Sequence, residues 1–241
     1  MKILEVKNLE IKLRESSKEI IKNISFSMEE NTCLGILGES GSGKSVTCKS
    51  ILNILNKNFD VKGKIIFNGK NLLKCKEEEM RKIRGKEICM ILQNPMTSFD
   101  PLYTIENQMI ETLLEHKNFS QQEAVNLAKE SLEKMRLKDI DNILKKYPHE
   151  LSGGMLQRIM IAIAIALKPK LIIADEPTTA IDSLNQKDII EEFKILKNEI
   201  NVSILFVTHD LGILSYLADN LIVMQNGKIV ERGTTSEIIN N

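Results

Sequence analysis

Cys33-Leu34-Gly35-Ile36-Leu37-Gly38-Glu39-Ser40-Gly41-Ser42-Gly43-Lys44-Ser45 is the stretch that decides the fold. The first five residues read as a buried parallel strand. A glycine-rich loop follows, and Lys44 opens an amphipathic helix that the spacing predicts to run to about Leu55. Gly38, Gly41 and Gly43 let the backbone wrap close around phosphate oxygens, with Glu39, Ser40 and Ser42 in the same cradle. Lys44 then reaches the β and γ phosphates, Ser45 offers a hydroxyl to Mg²⁺, and the helix aims its N-terminus at the charge. A chance glycine-rich loop rarely carries the full GxxxxGKS spacing between a strand and a helix.

Downstream, Leu151-Ser152-Gly153-Gly154-Met155-Leu156-Gln157-Arg158 places a second glycine turn at the start of a helix. Exposed N–H groups and the helix dipole make such a turn a spare anion site. One chain with two half-sites for one triphosphate implies two chains sharing two nucleotides.

Leu171-Ile172-Ile173-Ala174 is an apolar run ending in Asp175 and Glu176. Acids at the C-terminal end of a central strand sit where open α/β sheets bind ligands. Asp175 is placed to hold Mg²⁺, directly or through water, and Glu176 to polarise an attacking water. Glu176 could instead be a solvated loop acid, common at strand ends, but the surrounding set argues otherwise. His209 ends another apolar strand, Ser203 to Val207, at the same predicted edge, within reach of a γ-phosphate or the attacking water.

In this order the motifs resemble those of the ATP-binding cassette (ABC) ATPases, across essentially the whole chain. Gly38 to Ser45 is similar to the Walker A loop, with Val46 continuing its nucleotide contacts, and Gln93 to the Q-loop glutamine that serves both nucleotide and Mg²⁺. Leu151 to Met155 resembles the signature, Asp175 and Glu176 the Walker B pair, Ala180-Ile181-Asp182 the D-loop, and His209 the switch histidine. The resemblance implies ATP and Mg²⁺ as ligands. It also implies a head-to-tail dimer in which Ser152, Gly153 and Gly154 of one subunit grip the γ-phosphate held by the other.

The chain departs from the family pattern in three places. Met155 replaces the usual glutamine ending the signature, and Ile181 the usual leucine of the D-loop. No aromatic precedes Phe26, although the family usually stacks adenine on an aromatic upstream of Walker A. An aliphatic such as Leu13 or Ile20 is left to cover the ring, without aromatic stacking.

Met90 to Leu102, Tyr147-Pro148-His149-Glu150 and Ile173 to Thr179 resemble the dipeptide, oligopeptide and nickel importer ATPases. Gly153 to Arg158 and the short length are nearest the nickel-importer D-type subunit. Peptide-type subunits usually continue into a cysteine-bearing extension beyond the point corresponding to Asn241. The resemblance implies a second ATPase subunit, two integral-membrane permeases, an extracytoplasmic solute-binding protein, and a place on the cytoplasmic face of the membrane.

Composition agrees. At 241 residues, 42% apolar, the chain can form one α/β domain with an insertion. Lys plus Arg equals Asp plus Glu at 33 each, so no broad basic field favours nucleic acid. No apolar run approaches the roughly 20 residues that span a bilayer. Met1 to Leu13 alternates and reads as a strand, not a signal peptide. Cys33, Cys48, Cys75 and Cys89 lack CxxC spacing and read as reduced thiols. The mixed Lys and Glu stretch from Lys74 to Lys86 reads as a solvated helix.

The expected architecture is a P-loop α/β core with an N-terminal antiparallel β subdomain and an inserted helical subdomain. The antiparallel strands are expected at 1–13, 23–29 and 61–67, and parallel strands near 33–37, 87–92, 171–174 and 203–207. Helical spacing marks 105–116, 120–135 and 139–145, with Ser120 and Glu123 forming a capping box. A hairpin about Asn226-Gly227 joins strands at 221–225 and 228–232. The core is expected at 1–93 and 159–241, and the insertion at 94–158.

Two other classes share some of these motifs. ABC ATPases acting on DNA normally carry a long heptad insertion between loop and signature, and translation-associated ABC proteins two cassettes and a basic linker. Neither feature is present here, and a plain P-loop kinase lacks the signature.

Overall fold

The computed structural model describes residues 1–116, 118–178 and 183–240, and side chains at 183–188 and 198–200 are not described. The D-loop residues Ala180, Ile181 and Asp182 therefore lie outside the described residues.

Two sheets face one another. β1 (Lys2–Leu13), β2 (Glu19–Glu29), β4 (Phe59–Phe67) and the short β5 (Lys70–Asn71) form an antiparallel sheet in the order β2-β1-β4-β5. β3 (Cys33–Leu37), β6 (Ile88–Ile91), β7 (Leu171–Asp175), β8 (Ser203–Thr208), β9 (Asn220–Gln225) and β10 (Lys228–Thr234) form the second, ordered β10-β9-β3-β8-β7-β6. It is parallel from β9 to β6, with β10 returning antiparallel along β9.

Both faces of the parallel sheet are covered, which explains why its strands read as continuous apolar runs. In β8, Leu205 and Val207 enter one core with Ile36, Ile173 and the antiparallel sheet. Its alternate residues Ile204 and Phe206 enter the other with the helices. There Phe206 meets Phe193 edge to face, centroids 5.1 Å apart, a favoured aromatic geometry.

α1 (Lys44–Ile51) packs Cys48 and Ile51 between the two sheets. α2 (Glu77–Ile83) precedes β6 and carries the mixed charges expected of a solvated helix. The helical layer contains α3 (Ile105–His116), α4 (Gln121–Lys134), α5 (Ile140–Lys145) and α6 (Gly153–Leu167), followed by α7 (Ser183–Ile200), α8 (Leu211–Leu217) and the short α9 (Thr235–Ile239). The Ser120 box is formed: Glu123 N–H donates to Ser120 Oγ at 3.3 Å, and Ser120 N–H to Glu123 Oε2 at 2.7 Å. α6 runs unbroken through position 158, its N-terminal turns with the helical layer and its apolar remainder beneath the sheet.

Two boundaries differ most from expectation. α1 ends at Ile51 and not near Leu55, because Asn53 takes the left-handed conformation (φ 52°). The Asn53 and Ile54 N–H groups then bond back to the Ser50 and Lys49 carbonyls, the pattern that closes a helix. β2 begins at Glu19 and not Asn23, because Leu13 N–H bonds Lys18 O and starts the ladder at Lys12 opposite Glu19.

All four cysteines are free, and Cys33, Cys48 and Cys89 are buried. Burial pushes the Cys48 thiol well above its ordinary value. No helix among the described residues is long and apolar enough to cross a membrane.

Candidate functional site

The loop after β3 is shaped by what crowds it. A Cβ at Gly38 would lie 2.4 Å from the Met224 carbonyl oxygen at the end of β9. Gly43 caps α1 at φ 104°, where a Cβ would also strike Ile21 Cδ1 at 2.4 Å. Only glycine fits both demands. α1 has no acid in its first turn, which leaves its free N–H groups open to an anion.

Lys44 is buried. Its ammonium donates to Gly38 O at 2.6 Å and Glu39 O at 2.9 Å, and lies 3.4 Å from Glu176 Oε1. An ammonium has three donors, and three partners surround it. Ser42 Oγ is buried with no hydrogen-bond partner, an orphaned donor within the loop of the kind a phosphate oxygen can satisfy.

Beside the loop, Ser45 Oγ donates to Asp175 Oδ1 at 2.8 Å. Burial pushes the Asp175 carboxyl above the ordinary aspartate value; the Ser45 bond opposes this, and the adjacent Glu176 charge adds to it. A hydroxyl, a carboxylate and the nearby Gln93 amide form a hard-oxygen set of the kind Mg²⁺ takes together with phosphates. Among the described residues, no group of three or more His, Cys, Asp or Glu could hold a metal ion. The site thus fits an ion bound partly through phosphate and water, not a dedicated protein cage.

Glu176 follows β7 in the left-handed region (φ 49°), rare for a non-glycine residue. Its N–H bonds Val207 O at 2.9 Å, which turns the side chain across the ends of the strands. There Gln93 Nε2 donates to Glu176 Oε2 at 3.3 Å, and His209 Nδ1 lies 3.6 Å from the same oxygen. Gln93, Lys44, Glu176 and His209 come from the C-terminal ends of β6, β3, β7 and β8, one edge of one sheet.

The remaining residues read from the sequence are placed differently. Gly41 adopts φ 80° with open space about it, Glu39 and Ser40 are exposed, and Val46 is half-buried against the core of the antiparallel side. Ser152 caps α6, its Oγ accepting from Met155 N–H at 3.3 Å. Gly153 and Gly154 form the first turn, which has no acid, and a Cβ at Gly154 would meet nothing within 4 Å. The Ser152 cap bond lies within α6, whereas Ser45 bonds Asp175 and the Lys44, Gln93 and His209 side chains gather on Glu176. Of the two aliphatics considered for adenine, Ile20 adjoins the loop, its carbonyl 3.4 Å from the Cβ position at Gly43. Leu13 lies in the β1–β4 ladder opposite Phe59.

Two contributors have no local signal in the sequence. Met224 crowds Gly38, and Gly227 N–H donates to Ser42 O at 3.1 Å, so the β9–β10 turn buttresses the loop. Asn226-Gly227 reads locally as a hairpin alone; its approach to the loop follows from β9 pairing with β3.

The ABC transporter family model matches residues 21–179. The chain is 43% identical over 241 residues to the metal-staphylopine import system ATP-binding protein CntD of Staphylococcus aureus (strain NCTC 8325 / PS 47), covering 100% of this chain and 89% of that protein. It is 46% identical over 244 residues to the dipeptide transport ATP-binding protein DppD of Lactococcus lactis subsp. cremoris (strain MG1363), covering 100% of this chain and 70% of that one. Among solved structures, a dimeric ATP-binding cassette in a post-hydrolysis state with ADP and Pi superposes with a TM-score of 0.85 at 26% identity, over 96% of this chain and 98% of that one. CbiO1 of Clostridium perfringens, part of a cbiONQ transporter complex, shares the fold at a TM-score of 0.85 and 23% identity, over 100% and 91% of the two chains. Motifs, strand order and relatives agree: the chain belongs to the ATP-binding proteins of the ABC transporter family.

Proposed function

We propose that this chain is the ATP-hydrolysing subunit of an ABC importer that takes up a chelated metal, nickel among the candidates, or a short peptide. The observation that carries the reading is the convergence of Lys44, Gln93 and His209 on the Glu176 carboxylate, beside the Ser45–Asp175 pair. The metal-staphylopine and dipeptide relatives support the importer class and the range of cargo.

In this reading Gly38 to Val46 cradle the triphosphate and Lys44 neutralises its β and γ oxygens. Ser45, Asp175 and Gln93 hold Mg²⁺, which when bound neutralises phosphate charge. Glu176 accepts a proton from the attacking water, and His209 holds the γ-phosphate or that water. Ser152, Gly153 and Gly154 cap the nucleotide of a partner subunit, as the dimeric cassette with ADP and Pi supports. ATP drives closure only if it binds the closed dimer better than the open one.

The division into a core at 1–93 and 159–241 and a helical insertion at 94–158 belongs to the same reading. So do the partners: a second ATPase subunit, two permeases and a solute-binding protein, with this chain on the cytoplasmic face of the membrane. Met96, Leu102 and Tyr103, exposed just beyond Gln93, offer an apolar surface on which a permease helix can dock. Gln93 then reports the state of the site to the permease.

The test is co-expression with candidate permeases, purification, and ATP-driven uptake in proteoliposomes. Co-purification with cargo-stimulated hydrolysis is the expected result. Failure to bind any permease, with hydrolysis stimulated instead by DNA or ribosomes, overturns it.

A further inference from the structure

α6 is apolar from Ile159 to Leu167, yet one buried and one half-buried polar residue stand just before that run. Gln157 is fully buried, and neither its amide nitrogen nor its oxygen has a hydrogen-bond partner. Arg158 Nε lies 3.2 Å from Glu192 Oε1, with side chains 17% and 3% exposed. Glu192 interrupts an inward row of α7 that otherwise holds Ile189, Phe193 and Leu196.

Stability alone gives no reason for this pair. Desolvating two charges offsets most or all of their attraction, and well-packed apolar residues of similar volume are often as stable or more so. The ion pair nevertheless ties one particular atom of α6 to one of α7 at 3.2 Å, a constraint that apolar contacts lack. Here it resists rotation of α6 about its own axis against α7. Ser152 lies six residues before Arg158, about 9 Å along the helix at 1.5 Å per residue, so rotation at Arg158 swings the glycine turn. α7 in turn follows Glu176 in the chain after only six intervening residues, 177–182.

We propose that Arg158 and Glu192 are positioning residues that set the rotational angle of α6, so that Ser152, Gly153 and Gly154 meet the partner subunit's γ-phosphate in register. The pair acts through the turn and touches no nucleotide. This inference rests on the composite two-chain site proposed above.

The test compares Glu176→Gln with the same chain carrying Arg158→Met and Glu192→Leu together. Melting temperature, ATP affinity of the monomer at low protein concentration, and ATP-dependent dimerisation by sedimentation are measured on both. The apolar pair is expected to melt no lower than the parent and to bind ATP as a monomer equally well. Its ATP-dependent dimerisation is expected to weaken about tenfold, within the range of coupling lost between neighbouring residues. A stable apolar pair that dimerises like the parent overturns the proposal, because a merely structural bridge predicts that result. If the apolar pair does not fold, Arg158→Lys and Glu192→Gln replace it: weaker dimerisation with normal monomer ATP binding supports the proposal, and normal dimerisation in both overturns it. A Glu176→Gln parent that stays monomeric with ATP sinks the composite-site reading and the proposal with it. A parent that dimerises while the apolar pair matches it sinks the proposal alone.

Discussion

The Lys44 ammonium lies 3.4 Å from Glu176 Oε1, so the cation suited to a triphosphate and the carboxylate suited to its hydrolysis are paired with one another. The neighbouring Ser45–Asp175 bond likewise joins two candidate Mg²⁺ ligands. On the proposed reading, a nucleotide with its ion would replace these contacts with its own. That would free Glu176 from Lys44 and leave it with Gln93 and His209, which already lie beside it.

Glu176→Gln tests the carboxylate directly. Removing a general base costs about 10²–10⁴-fold in rate, so turnover is expected to fall by that factor while ATP and Mg²⁺ still bind. An ATP-bound dimer then accumulates on a sizing column. Hydrolysis at the wild-type rate would assign the base elsewhere.

Lys44→Ala removes the cation from a buried site. Nucleotide affinity is expected to fall by roughly 2–4 kcal/mol, in the range for truncating one partner of a buried charged contact. Calorimetry with a non-hydrolysable ATP analogue measures this; unchanged affinity would mean that the loop does not hold the nucleotide.

Gly43→Ala puts a Cβ at φ 104° and 2.4 Å from Ile21 Cδ1. Left-handed backbone alone costs a residue with a Cβ roughly 1–2 kcal/mol, and the clash adds to it. Denaturant unfolding should show the loss of stability together with weaker nucleotide binding. Gly41→Ala meets no neighbour within 4 Å and should cost only the backbone component.

Asp175 gives a pH dependence of definite sign. Burial raises its pKa in the folded chain, so the folded state holds more proton than the unfolded one between the ordinary aspartate value and the raised value. Stability contributed by this residue therefore falls as pH rises through that window, and its charge is a cost at neutral pH. Asp175→Asn without nucleotide should raise the melting temperature near pH 7 and change it little in acid, while impairing Mg²⁺-dependent hydrolysis. Equal shifts at both pH values would remove Asp175 as the titrating group.

Much of this was legible in the chain. The edge of the sheet could be read because β3, β7 and β8 are each an apolar run followed at once by polar residues with definite chemistry. Helices α3 to α5 followed from apolar spacing and the Ser120 cap. The rest depends on contacts between distant segments or on backbone dihedrals with no residue-type signature. Asn53 ends α1 early by turning left-handed, an option that asparagine shares with many helix positions it does not terminate. Glu176 at φ 49° has no local sequence mark, because Val207 of the neighbouring strand holds its N–H. Met224 and Gly227 reach the loop only through the pairing of β9 with β3. The Arg158–Glu192 pair looks in the sequence like two solvent-facing charges on separate helices.

Whether each nucleotide is held by the loop of one chain and the glycine turn of another can be read from hydrolysis in a mixed dimer. Ser152→Arg and Lys44→Ala chains are each expected to be inactive alone, and the Ser152→Arg monomer to bind ATP normally. Mixed, they form dimers in which both lesions fall at one interface and the other is intact, so hydrolysis is expected to return. No recovery on mixing, with ATP binding already lost in the isolated Ser152→Arg monomer, would contradict it.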